Sequence, residues 1–412
     1  MTSEVKERIE QIRHGNAPEG YKKTAAGIIP NDWQCSAIRD CLKIKNNERQ
    51  PISEEVRRNI PGPYPYYGPT QAQGYIDSYV SEGPAVLIGE DGDHFLKFKT
   101  KPMTLFVDGQ YTVNNHAHMV VGTEQCTTKW FFYAYQHKSL LNAITRQGAG
   151  RYKLTKEALE RLVVQYPCLE EQNRIIDIIS RQDSVIELKE KLLEEKQRQK
   201  KYLMQQLLSG KKRLPGFSSE WKKIAIGSFI REVDEKTTEN NQYDILSVTK
   251  NGIVRQSDHF NKQIASEDNT GYKILRRGNL AFSSMNLWMG SLDVLEDYEV
   301  GIISPAYKVF SFNTQLMNIK FGRQFMRSES MIWQYKVNSK QGASIVRRNL
   351  DLKALLSTKV SIPGLDEQQA IATVFMAADR EIELLQQDIE CEKKKKKALM
   401  HLLLTGIVRV SV

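Results

Sequence analysis

Residues 167–210 and residues 363–406 are two copies of one segment, 196 residues apart and aligned without a gap. The first copy reads PCLEEQNRIIDIISRQDSVIELKEKLLEEKQRQKKYLMQQLLSG, the second PGLDEQQAIATVFMAADREIELLQQDIECEKKKKKALMHLLLTG. Pro167/Pro363, Leu169/Leu365, Glu171/Glu367, Gln172/Gln368, Asp183/Asp379, Leu203/Leu399, Met204/Met400 and Gly210/Gly406 are identities in register. Upstream, Leu154, Ala158 and Leu159 meet Leu350, Ala354 and Leu355. A repeat at this distance, with unlike sequence between its copies, restricts the protein to a duplicated scaffold with two inserts.

Each copy predicts a long helix. Ile175, Ile179, Ile186, Leu193, Leu203 and Leu207 follow a seven-residue repeat in steps of three and four. Ile371, Phe375, Ile382, Ile389, Leu399 and Leu403 do the same, and sustained heptads predict a helix–helix seam. The prolines followed by acids suit helix starts, Gly210 and Gly406 suit helix stops, and about 40 residues of helix span ~60 Å. Gln182, Lys189, Lys196, Lys200, Glu392 and Lys396 interrupt the seam, where long stems can snorkel outward. Ile178, Val185 and Leu192 lie off it, so part of each helix is expected to face another protein.

A segment of ordinary domain size precedes each helix. Both segments open on a tryptophan, IIPNDW at Trp33 and LPGFSSEW at Trp221. Both close on similar basic stretches, RQGAGRYKL and KQGASIVRRNL. Between these ends they diverge into β-branched and aromatic runs punctuated by Gly, Asn and Asp, which predict strands. YTVNNHAHMVVG (111–122) and GIISPAYKVFSF (301–312) are expected to correspond. The first 20 residues predict a short amphipathic helix that mimics the tail of a long-helix copy, so the two termini are expected to lie close together.

The duplicated starts PCLEEQ and PGLDEQ, the L-L-[ST]-G ends and the opening IPNDW carry a resemblance, along essentially the whole length, to the specificity subunit of type I restriction-modification enzymes. PYPYYGPTQAQGYIDSY and YDILSVTKNGIVRQSDHF…GIISPAYKVF resemble target-recognition sequence. The resemblance implies an α+β fold: two globular mixed α/β target-recognition domains separated by two long antiparallel coiled-coil helices, duplicated about a pseudo-twofold. The expected boundaries are 1–20 for the N-terminal helix, packing near the C-terminus, 21–153 and 214–349 for the recognition domains, and 154–213 and 350–412 for the helical regions. It further implies that each domain reads one half of a bipartite, asymmetric site in double-stranded DNA, and that the helices set the gap and dock two modification (methyltransferase) subunits. Those subunits would bind S-adenosylmethionine and methylate adenine. Restriction (translocase/nuclease) subunits would join them, and no cofactor is expected on this protein.

Charge agrees with such a partner: 59 Lys+Arg against 49 Asp+Glu give a formal net charge of +10. No apolar run approaches a membrane span, and the charged N-terminus lacks a signal-peptide core, so a cytoplasmic location is expected. The five cysteines are scattered and contain no CxxC pair. No phosphate loop of GxxxxGK[ST] type is present; GEDGDH (89–94) reads as a turn, because its carboxylates would oppose an anion. His116 and His118, two apart in a strand-like run, are expected on one side, and with His94 match no ligand spacing. No catalytic or metal site is predicted. Competing readings are a non-catalytic coiled-coil scaffold that binds proteins rather than DNA, and an enzyme without familiar motifs.

Candidate DNA contacts combine hydrogen-bonding and aromatic side chains, which read base edges, with cations, which hold phosphates. In the first segment they are Tyr64, Tyr66, Tyr67, Gln71 and Gln73, with Tyr75 nearby, and Arg146 and Arg151 at the join to the helix. In the second they are Lys250, Asn251 and Arg255 around a predicted hairpin, Ser284 and Asn286 in a loop, and Arg347 and Arg348 at the join.

Overall fold

In the computed structural model, residues 2–147, 151–249, 252–259, 267–341 and 348–411 are described. They form two compact units: Met1–Lys189 with Asp388–Val412, and Glu190–Gln387. Both long helices form, over Leu169–Leu207 and Leu365–Leu404. Each unit takes the N-terminal half of one and the C-terminal half of the other.

Within each unit the two helix halves run antiparallel. In the first unit Asp183 pairs with Lys396 at 2.6 Å and Lys189 with Asp388 at 2.8 Å. In the second, Lys196 pairs with Glu381 at 2.7 Å and Lys200 with Asp379. The seam is driest where it meets a head: Ile175, Ile179, Ile371 and Phe375 are buried, whereas Leu193 and Ile382 are half-buried. The polar seam positions do not simply snorkel. Gln182 and Lys189 both donate to Glu392, at 2.6 and 2.9 Å. The Gln182 amide, then the Lys189 ammonium, hold the Glu392 carboxyl down at about 2. In half-buried pairs of this kind the attraction largely offsets the cost of desolvation, so their net contribution to stability is small.

The first head carries two four-stranded sheets. One runs Ala72–Ile76, Tyr64–Tyr67, Gln110–Val113, Ser81–Glu82; the other runs Lys43–Ile44, Ala117–Val121, Ala85–Gly89, Thr104–Val107. The strand AVLIG is buried on both faces. Val86 and Ile88 point to a core with Trp33, Trp130, Phe131, Ile175 and Leu403, while Ala85 and Leu87 point to a second with Tyr111, Val113 and Met119. A period of two divides one apolar run between two cores.

The second head carries one four-stranded sheet, in the order Ile230–Glu232, Tyr307–Phe312, Leu280–Ser283, Leu292–Val294, with two separate strand pairs, Leu246–Thr249 with Gly252–Arg255 and Lys273–Arg276 with Val300–Ile303. Leu280 and Phe282 face the core shared with the helices, and Ala281 faces a smaller one. The stretches 111–122 and 301–312 each hold parts of two strands separated by a turn.

The bases of the two heads match closely. Gln34–Ala37, just after Trp33, pairs with Val163–Tyr166, just before the first long helix. Lys222–Ala225, just after Trp221, pairs with Lys359–Ile362, just before the second. Glu171, almost wholly buried, accepts from Trp33 Nε1 at 3.3 Å and from both arms of Arg409, at 2.7 and 2.8 Å. Glu367, 3% exposed, accepts from Trp221 Nε1 at 3.1 Å and from Arg213 at 2.6 Å. Both acids lie in the first turn of their long helix, as expected, and each is also the buried centre of a tryptophan–carboxylate–arginine cluster. A buried carboxylate needs this full set of donors to offset its lost hydration.

The glutamine that follows does a second job. Gln172 donates to Pro167 O at 3.0 Å and to Gln125 O at 2.7 Å, and accepts from Thr127 N at 2.9 Å. Gln368 donates to Pro363 O and Leu316 O, both at 2.9 Å, and accepts from Asn318 N at 2.8 Å. Thr127 and Asn318 are the N-caps of helices Thr128–Tyr135 and Ile319–Met326, so each glutamine ties a long helix to a head helix. The terminal glycines are required by shape as well as by backbone direction. Gly210 and Gly406 sit at φ of 70° and 71°, and a Cβ on Gly406 would come within 2.6 Å of Pro30. Where the two termini meet, Tyr21 donates to Gly406 O at 2.7 Å and Arg8 to Ile407 O at 2.6 Å.

Candidate nucleic-acid interface

The tyrosine-rich stretch of the first head folds as a hairpin. Tyr64–Tyr67 pairs antiparallel with Ala72–Ile76, with an irregularity between Pro65 and Tyr67. Alternation along the strands sorts its side chains. Tyr66 is 1% exposed, donates to Gln50 O at 3.0 Å and accepts from Ile52 N at 2.9 Å, with the Arg57 guanidinium over its ring. It is a core residue, and burial removes it from the candidate contacts. Tyr67 is half-buried against Tyr111, and burial raises its phenol pKa. Tyr64 is half-buried with its ring 4.9 Å from that of Tyr79.

Gln71 is exposed in the hairpin turn and Gln73 on the strand that follows it, and Gln73 Oε1 accepts from Asn114 Nδ2 at 3.1 Å. Tyr75 is 60% exposed and Tyr79 is also open. The side chains exposed to a ligand here are therefore Gln71, Gln73, Tyr75 and Tyr79. Sequence reasoning misses Tyr79, because nothing separates it from the buried tyrosines except its place beyond the strand.

Arg146 is exposed on the strand Thr145–Gln147, which pairs with Arg151–Lys153, where Arg151 lies. In the second head, Lys250, Asn251 and Arg347 lie outside the described residues. The hairpin around the first two is present as Leu246–Thr249 and Gly252–Arg255. Arg255 pairs with Asp244 at 2.9 Å and lies over the Tyr298 ring, an arrangement that holds the hairpin in place. Ser284 and Asn286 are half-buried in the turn that leads into Leu287–Met289 and Gly290. Arg348 donates to Ser339 Oγ and Ser339 O, both at 2.8 Å, so its guanidinium fastens the two strands at the join.

The histidines do not converge. His118 is buried, takes an Asn46 amide contact at 2.8 Å on Nδ1 and directs Nε2 to Leu154 O at 2.8 Å. Burial lowers its pKa, and the carbonyl partner places the proton on Nε2. His116 instead sits before the strand Ala117–Val121, half exposed, and meets Asp91 at 3.0 Å. The expectation that both face one side fails because the strand begins only after His116. Among the described residues no group of three or more His, Cys, Asp or Glu is placed to hold a metal ion. In the GEDGDH turn, Glu90 is engaged by Arg49 at 2.6 Å.

Comparison with known proteins decides the family. The model of the type I restriction modification DNA specificity domain matches twice, over residues 30–197 and 218–392. This protein belongs to the type I restriction-modification specificity-subunit family. The specificity subunit as a family is non-catalytic. A putative type I restriction enzyme specificity subunit of Haemophilus influenzae is 30% identical over 148 residues, 36% of each of the two proteins. The putative MjaX specificity subunit of Methanocaldococcus jannaschii is 25% identical over 95% of this protein and 97% of its own length. The crystal structure of the S subunit from M. genitalium has the same fold, with a TM-score of 0.54, 13% identity, and coverage of 92% of this protein and 97% of that one. Among the described residues, no helix is long and apolar enough to cross a membrane.

Proposed function

We propose that this specificity subunit recognises DNA sequence for a type I restriction-modification complex. The domains expected at 21–153 and 214–349 each read one half of a bipartite, asymmetric site in double-stranded DNA. The long helices set the gap and carry two modification subunits, which bind S-adenosylmethionine and methylate adenine; restriction subunits complete the cleaving complex. The observation that carries this reading is the pairing of equivalent bases with unlike sheets. Two copies of one mount bearing different heads suit two different half-sites on one ligand. The hairpin with exposed Gln71, Gln73 and Tyr75, the exposed Arg146 and the net positive charge supply the chemistry that base edges and phosphates require.

The test is DNA binding by the subunit reconstituted with its modification subunit, titrated in salt. The expected result is preference for one split sequence and affinity that falls linearly on a log–log salt plot, by about 0.9 per phosphate contacted. Binding indifferent to salt and to sequence would instead support a protein-binding scaffold.

A further inference from the structure

Each head ends in a two-stranded ribbon shortly before its long helix. It is Thr145–Gln147 with Arg151–Lys153 in the first head and Ser339–Gln341 with Arg348–Leu350 in the second. The ribbons keep one register although the sheets before them differ. Thr145 is opposite Lys153 and Arg146 opposite Tyr152; Ser339 is opposite Leu350 and Lys340 opposite Asn349. Arg146 and Lys340 are therefore equivalent, and each is followed by Gln-Gly-Ala.

In each ribbon one cation fastens the strands and another is left over. Lys153 pairs with Glu90 at 3.5 Å, and the strand beside it takes a hydrogen bond from Gly92 N to Tyr152 O at 3.0 Å. Arg348 is fixed on Ser339, while Leu350 packs against the core of its unit. Side chains alternate along a strand, so Arg146 points away from the face of Lys153 and Lys340 away from the face of Arg348. Both Arg146 and Lys340 are exposed, and neither has an ion-pair partner among the described residues.

The sequence around them holds no acid. No Asp or Glu lies between Glu124 and Glu157, where there are six Lys and Arg, nor between Glu329 and Asp351, where there are four. The protein as a whole has 49 acids in 412 residues, so two acid-free stretches at the same place in both copies single these segments out. A surface that uses charge only for solubility interleaves both signs. The carboxylates nearest the first ribbon are already engaged: Glu90 by Arg49 and Lys153, and Asp91 by His116.

We propose that Arg146 and Lys340 are equivalent phosphate contacts, one in each head, that hold the DNA backbone without reading its sequence. The proposal rests on the reading of the two heads as DNA-recognition domains. The occupant is the backbone because an unpaired cation in an acid-free segment attracts every phosphate and distinguishes none. Contacts that specify must differ between heads that read different half-sites, whereas this cation recurs at one register in both. Each head then divides its work: the diverged sheets discriminate, and the ribbon holds.

The test is DNA binding by the full-length specificity subunit reconstituted with its modification subunit, titrated in salt. Two duplexes of equal length are compared, one carrying the motif methylated in the host and one with that motif scrambled. Arg146→Gln and Lys340→Gln are each expected to lower the log–log salt slope by about 0.9, and the double variant by about 1.8. Each should weaken binding to both duplexes by the same factor. Arg146→Lys and Lys340→Arg should keep the wild-type slope, as should Lys6→Gln, an exposed change outside both heads. An unchanged slope in either glutamine variant would overturn the proposal. So would an equal fall in Lys6→Gln, which would mark an effect of net charge alone. A loss larger on the motif duplex than on the scrambled one would overturn it too, because the residue would then be reading sequence. Wild-type binding that ignores both salt and sequence would instead overturn the functional reading on which the proposal rests.

Discussion

The bases of the two heads match closely, whereas the sheets mounted on them do not. Trp33, Glu171 and Arg409 form the same cluster as Trp221, Glu367 and Arg213, and Gln172 ties its helix as Gln368 does. The sheets differ in number and size: among the described residues the first head has two of four strands, the second only one, beside two-stranded pairs in both. Buried ionic and amide groups tolerate little change, because removing one partner strands the others without hydration. Apolar sheet cores accept many sequences of similar volume. A fixed mount with a replaceable head follows from that difference.

The largest effects are expected at the buried carboxylates. Glu171→Gln and Glu367→Gln should each destabilise by about 3 kcal/mol, by the usual cost of leaving a buried ionic partner unpaired. Denaturant melts of both variants check this, and equal losses support equivalence. A loss confined to one of them would show that the two mounts carry unequal weight.

At the terminal glycines the two copies should differ. Alanine at either position meets a left-handed backbone, worth roughly 1–2 kcal/mol. Gly406→Ala should cost more than Gly210→Ala, because its Cβ would come within 2.6 Å of Pro30, whereas that of Gly210 rests 3.4 Å from the Trp221 ring. Thermal melts that reverse this order would contradict the packing described.

Within the first head, Tyr66 and Tyr75 separate structure from recognition. Tyr66→Phe should lower stability by about 1 kcal/mol through its lost hydrogen bonds. Tyr75→Ala should leave stability within about 0.5 kcal/mol and weaken DNA binding by the reconstituted complex. The smallest effect is expected at Arg146→Ala: near-wild-type stability, with the log–log salt slope of DNA binding reduced by about 1. Unchanged salt dependence would remove Arg146 from the phosphate contacts.

The duplicated helices were legible because periodicity and identity at a fixed spacing survive without knowledge of contacts. Family membership was legible for the same reason. The role of P-x-L-x-E-Q was not, because Glu171 finds Arg409 and Trp33, residues far away in sequence that no local pattern links to it. The candidate contacts were half legible. Composition located the tyrosine-rich hairpin, but the irregularity between Pro65 and Tyr67 and the burial of Tyr66 depend on the strands around it. Arg255 and Arg348 looked like free cations and are fastened to Asp244 and Ser339, which a charge count cannot foresee.

The central claim, two independent heads on equivalent mounts, is tested most directly by mapping methyladenine in host DNA. The maps compare the wild-type subunit with one whose residues 214–349 are exchanged for another second recognition domain. A split, asymmetric motif that depends on the subunit is expected, in which the exchange alters one half and leaves the other half intact. A motif changed in both halves, or methylation that ignores this subunit altogether, would contradict it.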